Sequence, residues 1–336
     1  MADLRSETAE ASRKPSPPPG GRSGSGKNDL TLRQRLYRFD VKSAPYFYIA
    51  PFFIVFGLVG LFPLLFTAYV SLFDWDMLAD EQQFVGLDNY ARLIESDQFW
   101  KALVNTISIF LLSTGPQLVI AVLLAVLLDA RIRARTGFRV SVLIPYVVSL
   151  VALGIIFSNL FGHNYGLINN VLEFFGFDRI NWHSDRFASH VAIATMVNWR
   201  WTGYNALIIL AAMQAIPRDL YEAAVVDGAG PFRRFFSVTM PLLRPTLIFV
   251  VITSTIGGLQ IFTEPKLFSD IPGSNNGGSD NQFQTITLFM YQAGFERFDL
   301  GYASAIAWTL FLLIVVIALI NFLITRRIAS TGEERR

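Results

Sequence analysis

The sequence predicts an all-α integral membrane protein with six transmembrane helices, and three observations carry that reading. Hydrophobic residues make up 52% of the 336 residues and charged residues only 16%, with 30 phenylalanines. A soluble domain carries roughly 25% charged residues. Six apolar runs are each long enough to cross a hydrocarbon core, which takes about 20 residues of helix. Lys and Arg crowd into alternate connecting segments, as they do on the cytoplasmic side of a membrane.

Residues 1–43 come first and are polar, with the low-complexity run SPPPGGRSGSG among them. Such a segment buries too little apolar surface to offset its ordering entropy, so a disordered cytoplasmic tail is expected. Gly21-Arg22-Ser23-Gly24-Ser25-Gly26-Lys27 imitates a phosphate-binding loop, but Asn28 stands where Ser or Thr would hold magnesium and no strand precedes it. More than forty polar residues before the first apolar run also argue against a cleavable signal peptide.

The transmembrane domain is expected over 44–327, with spans near 46–72, 102–128, 138–161, 188–214, 244–265 and 302–325 and a short cytoplasmic tail, 328–336. Pro51, Pro63, Pro116 and Pro145 fall inside spans, where membrane helices tolerate them. Orientation follows from the basic residues. Arg131, Arg133, Arg135 and Arg139 lie between spans two and three; Arg218, Arg233, Arg234 and Arg244 between four and five; Arg326, Arg327, Arg335 and Arg336 at the end. The alternate loops hold two each, Arg92 and Lys101, Arg179 and Arg186, Lys266 and Arg297. Both termini and the 217–241 loop are therefore expected in the cytoplasm.

That loop is the most informative stretch. Pro217 suits a first helical turn, whose N–H groups have no intrahelical partner. Arg218 to Val226 reads as a short helix, stopped by Asp227-Gly228-Ala229-Gly230 because glycine adopts the left-handed conformation of a helix end. Pro231 opens a second helix, Phe232 to Met240, which Pro241 and Pro245 are expected to end or kink. Within it stand Glu222-Ala223-Ala224, then Gly228 after three residues, Val238 after nine more, and Met240-Pro241.

Those residues resemble the EAA loop of binding-protein-dependent ABC importer permeases, with Val for Ile and Met for Leu. Phe84-Val85-Gly86-Leu87-Asp88-Asn89-Tyr90, Asn105-Thr106 and Gly301-Tyr302-Ala303-Ser304-Ala305 look like segments of the carbohydrate permeases of that superfamily. The resemblance implies a MetI-like permease core with cytoplasmic EAA coupling helices, a bacterial cytoplasmic membrane, and a pore shared with a second permease, most simply as a heterodimer. It further implies an ATPase dimer that binds ATP and magnesium, none of which this chain would hold, and an extracytoplasmic solute-binding protein. The ATPase-docking residues would be Leu220, Glu222, Ala223, Ala224, Asp227 and Gly228. The alanines let the helix approach a cleft closely, Leu220 and Val226 offer apolar contacts, and Glu222 can meet a basic group or favour the helix dipole.

Span four concentrates polar and aromatic groups that lipid would not favour: Asn198, Trp199, Arg200, Trp201, Thr202, Tyr204 and Asn205. Flat aromatic faces with amides suit a sugar, and the same groups equally suit helix packing. The expected substrate path is Asn198, Arg200, Trp201, Tyr204 and Asn205, with Ser254, Gly258, Gln260 and Ile261 from span five. Arg200 would cost roughly 2.5–3.5 kcal/mol at the bilayer centre, so it needs water, substrate or an acid, conceivably one on the second permease. Gly257 to Pro265 and Gly277 to Thr285 look most like permeases for cellobiose and related β-linked oligosaccharides, with maltose-like and glycerol-phosphate-like substrates as alternatives. A secondary transporter is the rival class, with Glu264 as its candidate acid. No enzyme site is legible. There is no cysteine, His163, His183 and His190 have no metal-ligand spacing, and the dispersed arginines form no nucleic-acid face.

Overall fold

The structure, a computed structural model, describes residues 32–78, 82–130, 134–268 and 277–333, with side chains over 44–78, 82–130, 134–268 and 277–323. The imitation of a phosphate-binding loop at 21–27 lies outside the described residues. The chain divides into two units, Met1–Phe62 and Pro63–Arg336. In the first, α1 (Leu32–Val55) leads into a π-helical stretch, Phe56–Leu61. The helix thus begins well before residue 44, which corrects the expected tail. Leu32 to Ala44 contains no glycine or proline, and its leucines, arginines and lysine are good helix formers. From Tyr46 to Phe62 the large apolar side chains are exposed, as suits a lipid-facing helix.

The second unit opens with α2 (Phe62–Val70) and a small antiparallel ribbon, β1 (Phe73–Trp75) and β2 (Gln82–Phe84), with Phe73 opposite Phe84. This ribbon is a small addition to the expected helical fold. Asn89, at the start of α3 (Asp88–Glu95), donates to the carbonyls of Ser71 (3.0 Å) and Phe73 (2.9 Å), and so fastens the ribbon to the helix.

α4 (Asp97–Asp129) and α8 (Arg186–Gln214) are the long central pair. Ala121 and Ala125 of α4 are fully buried against Ala206 and Ile209 of α8, small residues that let helices in lipid approach closely. Between them in sequence, α5 (Arg135–Val147) and α6 (Leu150–Leu160) meet at 89°, with extended Val148 and Ser149 at the corner. Pro145 lacks the N–H that would bond back along α5, which weakens the helix just before the break. A short helix, α7 (Leu167–Phe174), follows in the 161–185 connection.

α9 (Arg218–Val226) stands where the sequence predicts it. The second helix does not end at Pro241. α10 (Pro231–Arg234), a π-turn (Phe235–Thr239) and α11 (Met240–Leu259) form one 29-residue helix. The π-turn shifts the hydrogen-bond register immediately before Pro241, so the missing N–H falls where the pattern is already changing over.

After α12 (Thr263–Leu267), the segment from Gly277 packs back on the ends of α4 and α8. Asn105 donates to the carbonyls of Asn281 (2.9 Å) and Gln284 (3.0 Å), and accepts from Arg186. Thr106 accepts from the N–H of Ile286 at 2.9 Å, where α13 (Ile286–Tyr291) begins. The Asn105-Thr106 pair and the 277–285 segment are thus one interlocked unit. α14 (Leu300–Glu333) completes the fold.

Among the described residues, four helical stretches are long and apolar enough to span a membrane, namely Ala44–Val70, Asp97–Asp129, Pro231–Leu259 and Leu300–Leu323, and the bent α5–α6 pair, taken as one span, makes a fifth. The sixth expected span, α8, is long enough at 29 residues but too polar to qualify by composition. Its polar groups are shielded by protein: Ser189, His190, Thr202 and Asn205 are all buried.

Candidate functional site

The described chain carries a cavity of about 240 Å³ between α4, α5, α8 and α11. α8 supplies one wall with Val197, Trp201, Tyr204, Asn205 and Ile208, which recur at helical spacing. α11 faces it with Phe249, Thr253, Ser254, Gly257 and Gly258, and Ile261 follows that helix. Thr114 and Gln117 from α4 and Tyr146 from α5 close the sides.

Three of the aromatic residues, Tyr146, Trp201 and Tyr204, form a single cluster. Tyr146 stacks on Tyr204 with ring centres 4.8 Å apart and planes 17° apart, and meets Trp201 edge-on at 5.2 Å. Trp201 and Tyr204 are themselves perpendicular at 5.8 Å. Asn205 donates to the Ser254 hydroxyl at 3.0 Å, tying α8 to α11 across the floor. Gly258 is required by its neighbours: a Cβ there would lie 2.7 Å from the ring of Phe110.

Six of the nine predicted path residues line this cavity: Trp201, Tyr204, Asn205, Ser254, Gly258 and Ile261. Three do not. Gln260 follows the end of α11 and is exposed. Asn198 lies one residue round the helix from the Val197–Trp201 wall, and its backbone carbonyl accepts the Thr202 hydroxyl at 2.6 Å. Arg200 turns away to Glu264 of α12, 3.3 Å off, while its guanidinium lies 5.2 Å over Trp201 and 5.8 Å over Tyr146. Of the partners the sequence leaves open for Arg200, which include substrate and an acid on a second permease, the structure provides an acid of this chain. Tyr146, Thr114, Gln117 and Thr253 are not marked by the sequence, because they stand on three separate helices, α5, α4 and α11, and only the tertiary fold brings them to the same space.

The second candidate surface is α9. Leu220, Glu222, Ala223, Asp227 and Gly228 are exposed and Ala224 is half-buried; Val225 and Val226 are 54% and 87% exposed. Gly228 has φ +76°, and the N–H of Ala229 reaches back to the carbonyl of Ala224 at 2.8 Å, so the helix ends in the predicted glycine stop. A side-chain hydrogen bond joins α9 to the long helix: the Tyr221 hydroxyl lies 3.0 Å from the hydroxyl of buried Thr239 in the π-turn.

Spanning helices around an aromatic and amide cavity, with an exposed short helix beside them, define a multi-pass membrane permease. Residues 94–330 match the family described as "Binding-protein-dependent transport system inner membrane component", and the chain belongs to that family. It is 34% identical to the sulfoquinovosyl glycerol transport system permease protein SmoG of Agrobacterium fabrum, over 83% of this chain and 89% of that protein. It is also 34% identical to the arabinooligosaccharides transport system permease protein AraP of Halalkalibacterium halodurans (87% and 91%) and to the lactose transport system permease protein LacF of Rhizobium radiobacter (88% and 98%). The fold is shared with a chain of a bacterial alginate ABC transporter solved with an alginate pentasaccharide-bound periplasmic protein, at TM-score 0.72 and 22% identity over 88% of this chain and 98% of that one. The protein is thus an inner-membrane permease component of a binding-protein-dependent importer.

Proposed function

We propose that this permease carries a neutral oligosaccharide, with cellobiose and related β-linked disaccharides the first compounds to test. The observation that carries this reading is the chemistry of the cavity: four aromatic side chains, two amides and three hydroxyl-bearing Thr and Ser side chains, with no charged side chain in its lining. Sugar rings offer apolar C–H faces to aromatics and hydroxyls to amides. A phosphate would call for a cation, and the nearest guanidinium, Arg200, is engaged by Glu264. Relatives named for arabinooligosaccharides and lactose support the sugar class.

A volume of about 240 Å³ falls below the roughly 300–1,000 Å³ of ligand pockets, which suits one wall of a path completed by a second permease. Basic residues in alternate loops support cytoplasmic termini and a cytoplasmic α9. There the exposed Leu220, Val225 and Val226 around small alanines support docking of α9 in a groove on a partner ATPase, which would bind ATP and magnesium. A solute-binding protein would deliver the sugar from outside, and this chain would perform no chemistry of its own.

The test is uptake of radiolabelled cellobiose by membrane vesicles holding the complete importer. Uptake should require ATP, and excess unlabelled neutral disaccharide should compete while glycerol 3-phosphate should not. Competition by glycerol 3-phosphate alone would overturn the assignment.

A further inference from the structure

A second groove, of about 270 Å³, runs between α5 and α8 on a face of α8 separate from the cavity described above. Its composition is graded. Thr136 and Arg139 at the start of α5 and Gln214 at the end of α8 supply polar groups at one end. Leu143 and Leu207, each seven residues further in, make the other end apolar, about 10 Å deeper at about 1.5 Å rise per residue. The Nε of Arg139 is buried and meets no acceptor among the described residues. No carboxylate lines the groove, and its polar side chains can all donate hydrogen bonds.

The geometry points to a phospholipid site, with the phosphodiester on Arg139 and an acyl chain laid along Leu143 and Leu207. The match is directional. Both helices present their polar groups where they leave the membrane and their leucines where they enter it, as a phospholipid does. A buried, unpaired guanidinium N–H in a low-dielectric groove is costly until an anion satisfies it. A free phosphate ion would satisfy the guanidinium but leave the apolar trough empty; a lipid fills both. The polar end lies where α5 begins and α8 ends, and naming the leaflet there as the cytoplasmic one rests on the orientation proposed above. The site itself requires only the membrane–water boundary. Gln214 is also three residues before Pro217, so an occupied groove would brace the end of α8 where the connection to α9 begins.

Native mass spectrometry of the permease released from membranes containing phosphatidylglycerol tests this directly, together with thermal unfolding titrated with that lipid. Wild-type protein should retain one phospholipid and be stabilised by it. Arg139→Gln should weaken retention by about tenfold or more, the loss of one charge-assisted hydrogen bond. Leu143→Trp, which fills the trough and leaves the guanidinium in place, should also expel the lipid, so a folding defect in either variant alone does not decide the matter. Equal phospholipid retention in both folded variants would overturn the proposal. So would equal stabilisation by inorganic phosphate, which would mark an anion site only. Capture of a second permease, in place of lipid, by a photocrosslinker at position 143 would make the groove a subunit interface. A failure of cellobiose uptake would leave the lipid result untouched.

Discussion

The guanidinium of Arg200 and the carboxylate of Glu264 meet at 3.3 Å, with side chains only 18% and 6% exposed, and they join the central helix α8 to the short helix α12. Taken alone, Arg200 reads as a cation in a substrate path. Paired, it becomes a support behind the aromatic cluster, since its plane lies over both Trp201 and Tyr146. Glu264, read from sequence as a candidate proton carrier, is the counter-ion.

Removing one partner of a buried pair leaves the other charge uncompensated and costs about 3–5 kcal/mol, whereas replacing both with apolar residues is often close to neutral. Arg200→Gln and Glu264→Gln are therefore each expected to lower the unfolding temperature of the detergent-purified permease and its yield in the membrane. Arg200→Met combined with Glu264→Leu should recover most of the loss. If the double variant were as unstable as the sum of the two single ones, the pair would not be the unit described here.

The aromatic cluster should behave differently. Trp201→Ala and Tyr204→Ala remove a face that lines the cavity, on side chains only partly buried among neighbours, so sugar uptake should fall at least tenfold while the assembled complex and its basal ATP hydrolysis persist. Tyr146→Phe keeps the stack and should retain most transport. Loss of assembly in the alanine variants, measured by co-purification of the second permease, would show that these rings pack helices and do not meet substrate.

Much of this was legible before folding. The membrane class follows from composition, the α9 stop from Asp227-Gly228, and most of the cavity from the polar and aromatic run in α8. What the sequence did not disclose has common physical causes. α8 is too polar to pass as an apolar span by composition, and what shields its polar groups is tertiary: His190 meets Ser108 of α4 and Asn205 meets Ser254 of α11. Pro241 predicts a helix end, but a π-turn just upstream absorbs its missing hydrogen bond. Tyr146, Thr114 and Gln117 reach the cavity by tertiary packing alone, so no spacing within the chain marks them.

Gly203 gives a packing prediction of its own. A Cβ at this position would stand 1.8 Å from the carbonyl oxygen of Val142, so α5 and α8 cross at backbone contact there. Overpacking of a tight site typically costs about 1–3 kcal/mol, and backbone cannot yield as a flexible side chain does. Gly203→Ala should thus destabilise the purified permease and displace Tyr146 from Tyr204. Unchanged thermal unfolding would mean that the crossing is looser than described.

Orientation is tested by labelling. In a cysteine-free chain, single cysteines at Gly228 and Gly86 report without background. A membrane-impermeant thiol reagent applied to intact cells should modify the residue introduced at Gly86 and leave that at Gly228 untouched until the membrane is opened. Labelling at Gly228 from outside would reverse the orientation and remove α9 from the reach of any ATPase.

The contact between Tyr221 and Thr239 carries the final prediction. α9 would sit on the ATPase, and α11 begins at the π-turn and runs on to Phe249, Ser254 and Gly258 at the cavity. The Tyr221–Thr239 hydrogen bond, 3.0 Å long, is the polar side-chain link between the two among the described residues. Tyr221→Phe deletes only the hydroxyl and keeps the ring, so docking of α9 should survive and co-purification of the ATPase should be unchanged. A hydrogen bond of this kind contributes about 0.5–1.5 kcal/mol net, enough to alter coupling by about twofold to tenfold without unfolding the helix. More ATP should be hydrolysed per sugar transported, and Thr239→Val should have the same effect, with the double variant no worse than either single one. Additive effects of the two substitutions, or an unchanged ATP-to-sugar ratio in Tyr221→Phe, would assign coupling to the backbone packing of α9 on the π-turn and leave the hydroxyl pair without a part in it.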